Sequence, residues 1–190
     1  SCAMPVSTGD FLKIASDVGA KMGNMSGAWR MQLPFEQATA TRAVPAGVFY
    51  VPGDSMLQVN KYGRRVVNEK RNYNDRSEIH GVYDPGKAEF TNHLMFMVYD
   101  QRTAEAFAGN FPIPVTPGSD AYTVSGAGVA ELSGKLTERL AAISGDTGGV
   151  VLDGGFEAAL GETIKRFNSN AVEGRDSDFS RGASDNDTAW

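Results

Sequence analysis

Met56-Leu57-Gln58-Val59, Asn60-Lys61-Tyr62-Gly63 and Arg64-Arg65-Val66-Val67 follow one another without a break: two runs of strand-forming residues around a four-residue turn that ends in glycine. Two such runs flanking a short glycine-containing loop predict a β-hairpin. Downstream, residues 94–99 form a continuous apolar run of strand length. Asp100 then opens a helical stretch containing Ala104, Phe107 and Ala108. Upstream, prolines at 34, 45 and 52 forbid long regular structure, but Val48-Phe49-Tyr50-Val51 is rich in strand formers.

Helices bracket this strand-rich middle. Phe11, Ile14, Ala15, Val18 and Met22 recur at spacings of three and four, which predicts a short amphipathic helix with Thr8 or Asp10 at its cap and Gly23 at its end. Val129, Leu132, Leu136, Leu140 and Ile143 predict a second helix, and Phe156, Leu160, Ile164, Phe167 and Ala171 a third. Gly145-Asp146-Thr147-Gly148-Gly149 separates these two. Past Glu173 the chain is polar and rich in Gly and Asp, and it is expected to pack only locally. Strands and helices alternate without βαβ regularity, so the expected class is α+β, a small mixed sheet packed with helices.

Composition bounds the function. With 41% hydrophobic and 22% charged residues in 190, the chain is long enough for one domain with a core. It holds no apolar run of the ~18 residues a membrane span requires. A single cysteine, Cys2, rules out an internal disulfide, and with only His80 and His93 beside it no Cys/His zinc cluster can form. A net charge of −5 argues against nucleic-acid binding. The start at Ser1-Cys2-Ala3 lacks both an initiator methionine and a secretory pattern, so the expectations are a piece of a longer chain and a cytoplasmic location.

Motif tests remove several chemistries. Gly126-Ala127-Gly128 lacks the third glycine of a dinucleotide fingerprint, and Gly145 to Gly149 lacks the lysine of a phosphate loop. No Gly-x-Ser-x-Gly elbow occurs, and two histidines thirteen positions apart do not make a triad. The carboxylate pairs Asp176/Asp178 and Asp185/Asp187 lack the frame of a calcium loop and read as solvated loop charges. The sequons at Asn24 and Asn186 read as chance. What stands out is charge. Residues 61–76 carry six basic side chains (Lys61, Arg64, Arg65, Lys70, Arg71, Arg76) against Glu69 and Asp75, a local +4, leaving −9 for the remainder. Such a segment is either a solvated hairpin with weak ion pairs or a cationic wall that stabilises developing negative charge.

This segment also carries a family resemblance. Asn60-Lys61-Tyr62-Gly63-Arg64-Arg65-Val66-Val67-Asn68-Glu69, followed by Tyr73, resembles the "G-[KR]-R-[FV]-x-N-E-x-x-x-[YR]" stretch of the fumarate reductase/succinate dehydrogenase flavoprotein superfamily. Its 3-ketosteroid Δ1-dehydrogenase-like branch is the most similar. Thr8-Gly9-Asp10 with the later Ala28-Trp29 is similar to the family's "T-G-D-G…A-W" segment. Phe167-Asn168 with Gly174-x-Asp176-x-Asp178-Phe179-x-Arg181 is similar to its "F-N-x-x-A-x-x-G-x-D-x-D-F-x-R" segment. The three segments stand in family order over essentially the whole chain. Phe11 departs from the family's glycine after Gly9-Asp10.

The resemblance implies a cap, or catalytic, domain that closes over FAD, with the Rossmann-like FAD-binding domain itself absent. Residues 1–30 would lead from that domain, 31–173 would form the cap, and 174–190 would return. FAD would belong to the intact protein, with its own FAD-binding domain as partner and a small apolar cyclic ketone or steroid as substrate. Tyr73 matches the position that fumarate reductases fill with a proton-donating arginine and ketosteroid dehydrogenases with an active-site tyrosine. Asn68, Glu69, Arg71 and Arg76 would support that loop, the two arginines by lowering the phenol pKa. Turn capping is the alternative role for Asn68 and Glu69. Thr8, Gly9 and Asp10 would approach the cofactor. Trp29, Met31, Phe35, Phe96 and Met97 are candidates for a substrate cleft, with core packing as the alternative. A fumarate reductase-like enzyme and a non-catalytic binding module remain as other functions.

Overall fold

The computed structural model describes residues 6, 8–40, 51 and 53–189. Cys2 and residues 48–50 of the upstream strand lie outside the described residues. In chain order come α1 (Asp10–Asp17), α2 (Phe35–Ala40), β1 (Met56–Val59), α3 (Tyr73–Ser77), a 3₁₀ turn (Glu78–Gly81), β2 (Tyr83–Asp84), β3 (Glu89–Phe90), β4 (Phe96–Tyr99) and α4 (Gln101–Ala106). The C-terminal part adds α5 (Val129–Ala142), α6 (Ser144–Thr147), α7 (Phe156–Glu173) and α8 (Asp185–Thr188). This is a mixed helix and sheet composition, compatible with α+β.

Among the described residues the sheet content is two separate antiparallel pairs rather than one mixed sheet: β1 with β4, and β2 with β3. The hairpin expected over residues 56–67 is therefore only half present. Its turn forms, with the Gly63 amide donating to the Asn60 carbonyl at 2.9 Å and the Asn60 side chain accepting from the Tyr62 amide at 3.0 Å. The return arm touches β1 through a single bridge, Val59 to Arg65. β1 pairs instead with β4, Gln58 opposite Met97. Beyond that bridge the Gln58 amide donates to the Glu69 carboxylate instead of to the return arm, and the Arg65 side chain turns into the same buried ionic cluster. The β2/β3 pair was not anticipated; the Asp84 carboxylate there accepts from the Gly86 amide across an Asp-Pro-Gly turn.

A two-stranded ribbon of four residues is marginal unless a helix covers it. β1 is fully buried because its faces feed two clusters. Leu57 and Val59 pack with Phe156 and Leu160 of α7, with Leu132 and Leu136 of α5 against them. Met56 packs with Val51 and Ile113, flanked by Met97, Tyr99 and Phe107. The two long helices thus follow their sequence periodicity.

α1 differs from its expectation at both ends. Neither Thr8 nor Asp10 caps it; Gly9 occupies the cap position at φ +93°, and the helix stops at Asp17 rather than near Gly23. Gly19, at φ +74°, supplies the left-handed residue. The Gly19 and Ala20 amides close a Schellman motif onto the Ser16 and Ala15 carbonyls. Phe11, Ile14 and Val18 stand exposed on α1. Among the described residues no helix is long and apolar enough to cross a membrane.

Gly63 joins the turn to α7. Its φ is +70°, and a β-carbon there would lie 2.7 Å from the Phe156 carbonyl oxygen and 2.8 Å from the Leu160 amide nitrogen. The Gly63 carbonyl also accepts from the Thr163 hydroxyl at 2.7 Å. Gly63→Ala should lower the unfolding free energy by about 2–4 kcal/mol, through strain and backbone overlap together. Gly134→Ala, in open space on α5, should be neutral or stabilising by up to about 1 kcal/mol. Urea unfolding of the two variants checks the contrast.

Candidate active site

Glu69 is fully buried and accepts from the Arg65 Nε and Nη2 at 2.8 Å each, the Arg181 Nη1 at 3.1 Å and the Gln58 amide at 3.1 Å. Arg65 reaches on to Asp176 at 2.9 Å. The rings of Phe167 and Phe179 lie about the Arg65 guanidinium, at 5.0 and 5.1 Å. Arg181 donates to the carbonyls of Met56, at 2.6 Å, and Asp54, at 2.9 Å. Two cations and two carboxylates balance.

Burial pushes the Arg65 guanidinium down, but hydrogen bonds to Glu69 and Asp176 outweigh it and hold the group above the ordinary arginine value. Burial would raise Asp176, and Arg65 with the amides of Asp178 and Arg181 holds it below the usual carboxylate range instead. Two expectations fail here. The tail past Glu173 is not merely local, because Arg181 and Asp176 anchor it under β1. Asp187 joins them: its Oδ2 accepts from the Asn68 side chain at 2.9 Å and from the Gly182 amide at 3.0 Å. Asp176 and Asp187 are therefore buried structural carboxylates, not solvated loop charges.

The basic segment is likewise not a uniform cationic wall. Lys61 pairs with Glu89, Lys70 with Asp54 at 3.4 Å, and Arg65 as above. Asn68 makes a turn, its carbonyl oxygens accepting the Lys70 amide at 2.9 Å and the Arg71 amide at 3.1 Å. Arg71 is exposed. Arg76 is buried and donates to the Glu69 carbonyl at 2.9 Å; burial pushes it down to about 10, against the pull of Glu69. Thr8, Gly9 and Asp10 are exposed at the start of α1.

Across β1 lies a cleft of about 1180 Å³ lined by β4 and the residues that flank it. Phe96, Met97, Leu33 and Phe35 give it apolar walls, and α5 closes it with Leu132 and Leu136. Trp29 and Met31 line it as well. The segment that carries them is pinned to α3 and the turn after it. The Arg30 amide donates to Asn74 at 2.9 Å, the Arg30 guanidinium meets Glu78 at 2.5 Å, and Trp29 stacks on Tyr73 with ring centroids 5.9 Å apart. Tyr73 is not one of the cleft-lining residues: it sits behind Trp29, half-buried, its carbonyl taking the Ser77 hydroxyl at 2.5 Å.

Of the polar groups of the cleft, the sequence marks His80 and His93 only as metal or triad candidates and does not mark Gln32 or Gln58 as site residues. Gln58 donates to Gln32 at 2.8 Å, Gln32 meets His80 Nε2 at 3.0 Å, and His80 Nδ1 meets the His93 carbonyl at 3.2 Å. Burial pushes His80 below its ordinary value, against the bonds to His93 and Asn92. Burial raises Tyr99 and Tyr122, with Asp120 adding to it and a hydrogen bond with Thr123 opposing it at Tyr99. Arg139 pairs with Glu36 at 2.5 Å. The one signal for this set was a glutamine inside an otherwise apolar strand.

No protein-family profile matches the chain. Over its whole length it is similar to the 4-oxocyclohexanecarboxylate 2-dehydrogenase of Sinomonas cyclohexanicum, at 29% identity across 192 aligned positions. The chain spans 30% of that enzyme's length.

Two outcomes follow from this geometry. Glu69→Gln removes the charge that two buried arginines share and should destabilise the fold by about 3–5 kcal/mol, read as a lower urea midpoint. His80 is held below 6.5 when folded, so the unfolded chain binds more protons as pH falls through that value. Its contribution to stability is whole above pH 6.5 and is lost below it. His80→Gln should flatten the fall in thermal midpoint between neutral pH and about pH 5.

Proposed function

We propose that this chain is the substrate-capping, catalytic part of an FAD-dependent dehydrogenase that places a double bond beside the carbonyl of a cyclic ketone, of the size range from a cyclohexanone to a 3-ketosteroid. The observation that carries the reading is the apolar cleft, large enough for a fused ring system, with Trp29 and Phe96 in its lining. Similarity to a dehydrogenase named for a cyclic keto acid supports it.

FAD supplies, when bound, a two-electron acceptor for the hydride that leaves the β-carbon. This chain's own groups fit only part of that cofactor. Gly9 leaves the start of α1 uncapped and exposed, and the Thr8 hydroxyl with the Asp10 carboxylate suits sugar-like hydroxyls. A carboxylate in the first turn repels a pyrophosphate, which the partner FAD-binding domain would have to hold. On the substrate side, Tyr73 as tyrosinate takes the proton from the carbon next to the carbonyl and becomes the phenol, and the stacked Trp29 fixes its approach. The electron pair of that C–H bond becomes the new carbon–carbon double bond as the hydride departs. Tyr99 and Tyr122, kept as phenols, donate to oxygen atoms in the cleft and hold the carbonyl in place.

A fumarate reductase-like reaction on a dicarboxylate is less well served. Arg30 and Arg139, the arginines of the cleft lining, are already paired with Glu78 and Glu36, and position 73 is a tyrosine. In the intact protein, Tyr73→Phe should lower turnover of 4-oxocyclohexanecarboxylate or a 3-ketosteroid by at least about 100-fold while the yellow flavin stays bound. A colourless intact protein, or near-normal turnover in that variant, overturns the proposal.

A further inference from the structure

Among the described residues that line the cleft, the permanent cations are Arg30 and Arg139, and there is no lysine. None of the six basic side chains of residues 61–76 lines it. Both arginines are already matched. Arg30 meets Glu78 at the surface, with side chains 41% and 55% exposed. Arg139, on α5, meets Glu36 of α2 in a more sheltered pair, 32% and 24% exposed, and Glu36 is its partner among the described residues. His80 adds no charge. It ends an amide relay: the His93 carbonyl can only accept, so the ring proton is on Nδ1, Nε2 accepts from the Gln32 amide nitrogen, and the Gln32 oxygen accepts from Gln58. Burial holds that ring below its ordinary value and keeps it neutral near pH 7.

Two carboxylates, Glu36 and Asp100, stand in the lining against the two arginines. A third, Asp120, acts together with Glu36 on the Tyr122 phenol that also lines the cleft. A carboxylate that enters such a space gives up hydration and finds no unmatched cation to replace it. We infer that Glu36 is a specificity-determining residue of the cleft: by holding Arg139 it excludes rings that carry a carboxylate and leaves the cleft to uncharged cyclic ketones. This rests on reading the cleft as the site of a cyclic ketone. The pair is also a latent anion site. With Glu36 made neutral, Arg139 becomes a sheltered cation whose counter-charge has to come from the occupant.

The test is calorimetric binding of 4-oxocyclohexanecarboxylate and its neutral isostere 4-oxocyclohexanecarboxamide to the intact protein near neutral pH, with flavin content read from visible absorbance. The wild type should bind the amide at least about 10-fold more tightly. Glu36→Gln should tighten the keto acid by about 10- to 100-fold, the range of a hydrogen bond to a charged group, and leave the amide within about twofold. Adding Arg139→Gln to that variant should cancel most of the gain, which assigns it to the guanidinium rather than to relief of repulsion. Arg139→Gln alone leaves Glu36 unmatched and should weaken the keto acid about 10-fold further, which keeps the test open if Glu36→Gln does not fold. A wild type that binds the keto acid as tightly as the amide, binding of neither, or no gain in Glu36→Gln overturns the inference. A protein with the expected preference that desaturates neither ring would sink the dehydrogenase reading and leave this one standing.

Discussion

A carboxylate taken wholly out of water is costly unless its lone pairs are filled by charged or amide donors. Glu69 meets that condition with four N–H groups drawn from three parts of the chain: β1, the turn-bearing arm and the C-terminal tail. Because the Gln58 amide is one of the four, the same carboxylate that neutralises two arginines also sets the height of β1. The cleft lies on the far side of that strand. Its shape is therefore fixed by electrostatics on one face and by the packing of α5 and α7 on the other.

Much of the helical frame was legible because its signal is local. The apolar stripes of α5 and α7 face the core, with Leu140, Phe156 and Leu160 buried and only Ala171 at the end of the second left exposed, and Asp100 caps α4 through the Thr103 amide as its position before a helical run implies. The strand pairing was not legible in the same way. Nothing in residues 56–67 records that β1 takes a partner some forty positions later, and an arginine in a strand-like run gives no sign of whether it faces water or a buried acid. The same blindness misjudged the tail: composition sees polar residues, while the cluster depends on where two of them meet Arg65 and Glu69. In α1 the error was smaller, a choice between Gly19 and Gly23 as the stop, decided by which glycine takes the left-handed conformation.

At the site, the family-like segments pointed to Tyr73 and contained Trp29, while Phe96 came from the apolar residues read as cleft candidates. The structure sets Trp29 and Phe96 in one cleft and puts Tyr73 behind Trp29, outside the cleft lining. The amide relay escaped notice because glutamine carries no charge and matches no motif. Its meaning comes from sequence-distant partners at positions 32, 80 and 93, and from the direction in which each hydrogen bond must run.

The four charged residues around β1 also constrain how such a chain can drift. Arg65, Glu69, Asp176 and Arg181 form a balanced set across more than a hundred positions, and losing any one leaves an unmatched buried charge. Acceptable change must come in compensating pairs that span the two ends of the segment. A glycine- and aspartate-rich tail that contributes almost no apolar surface is thereby as restricted in its alternatives as the hydrophobic interior.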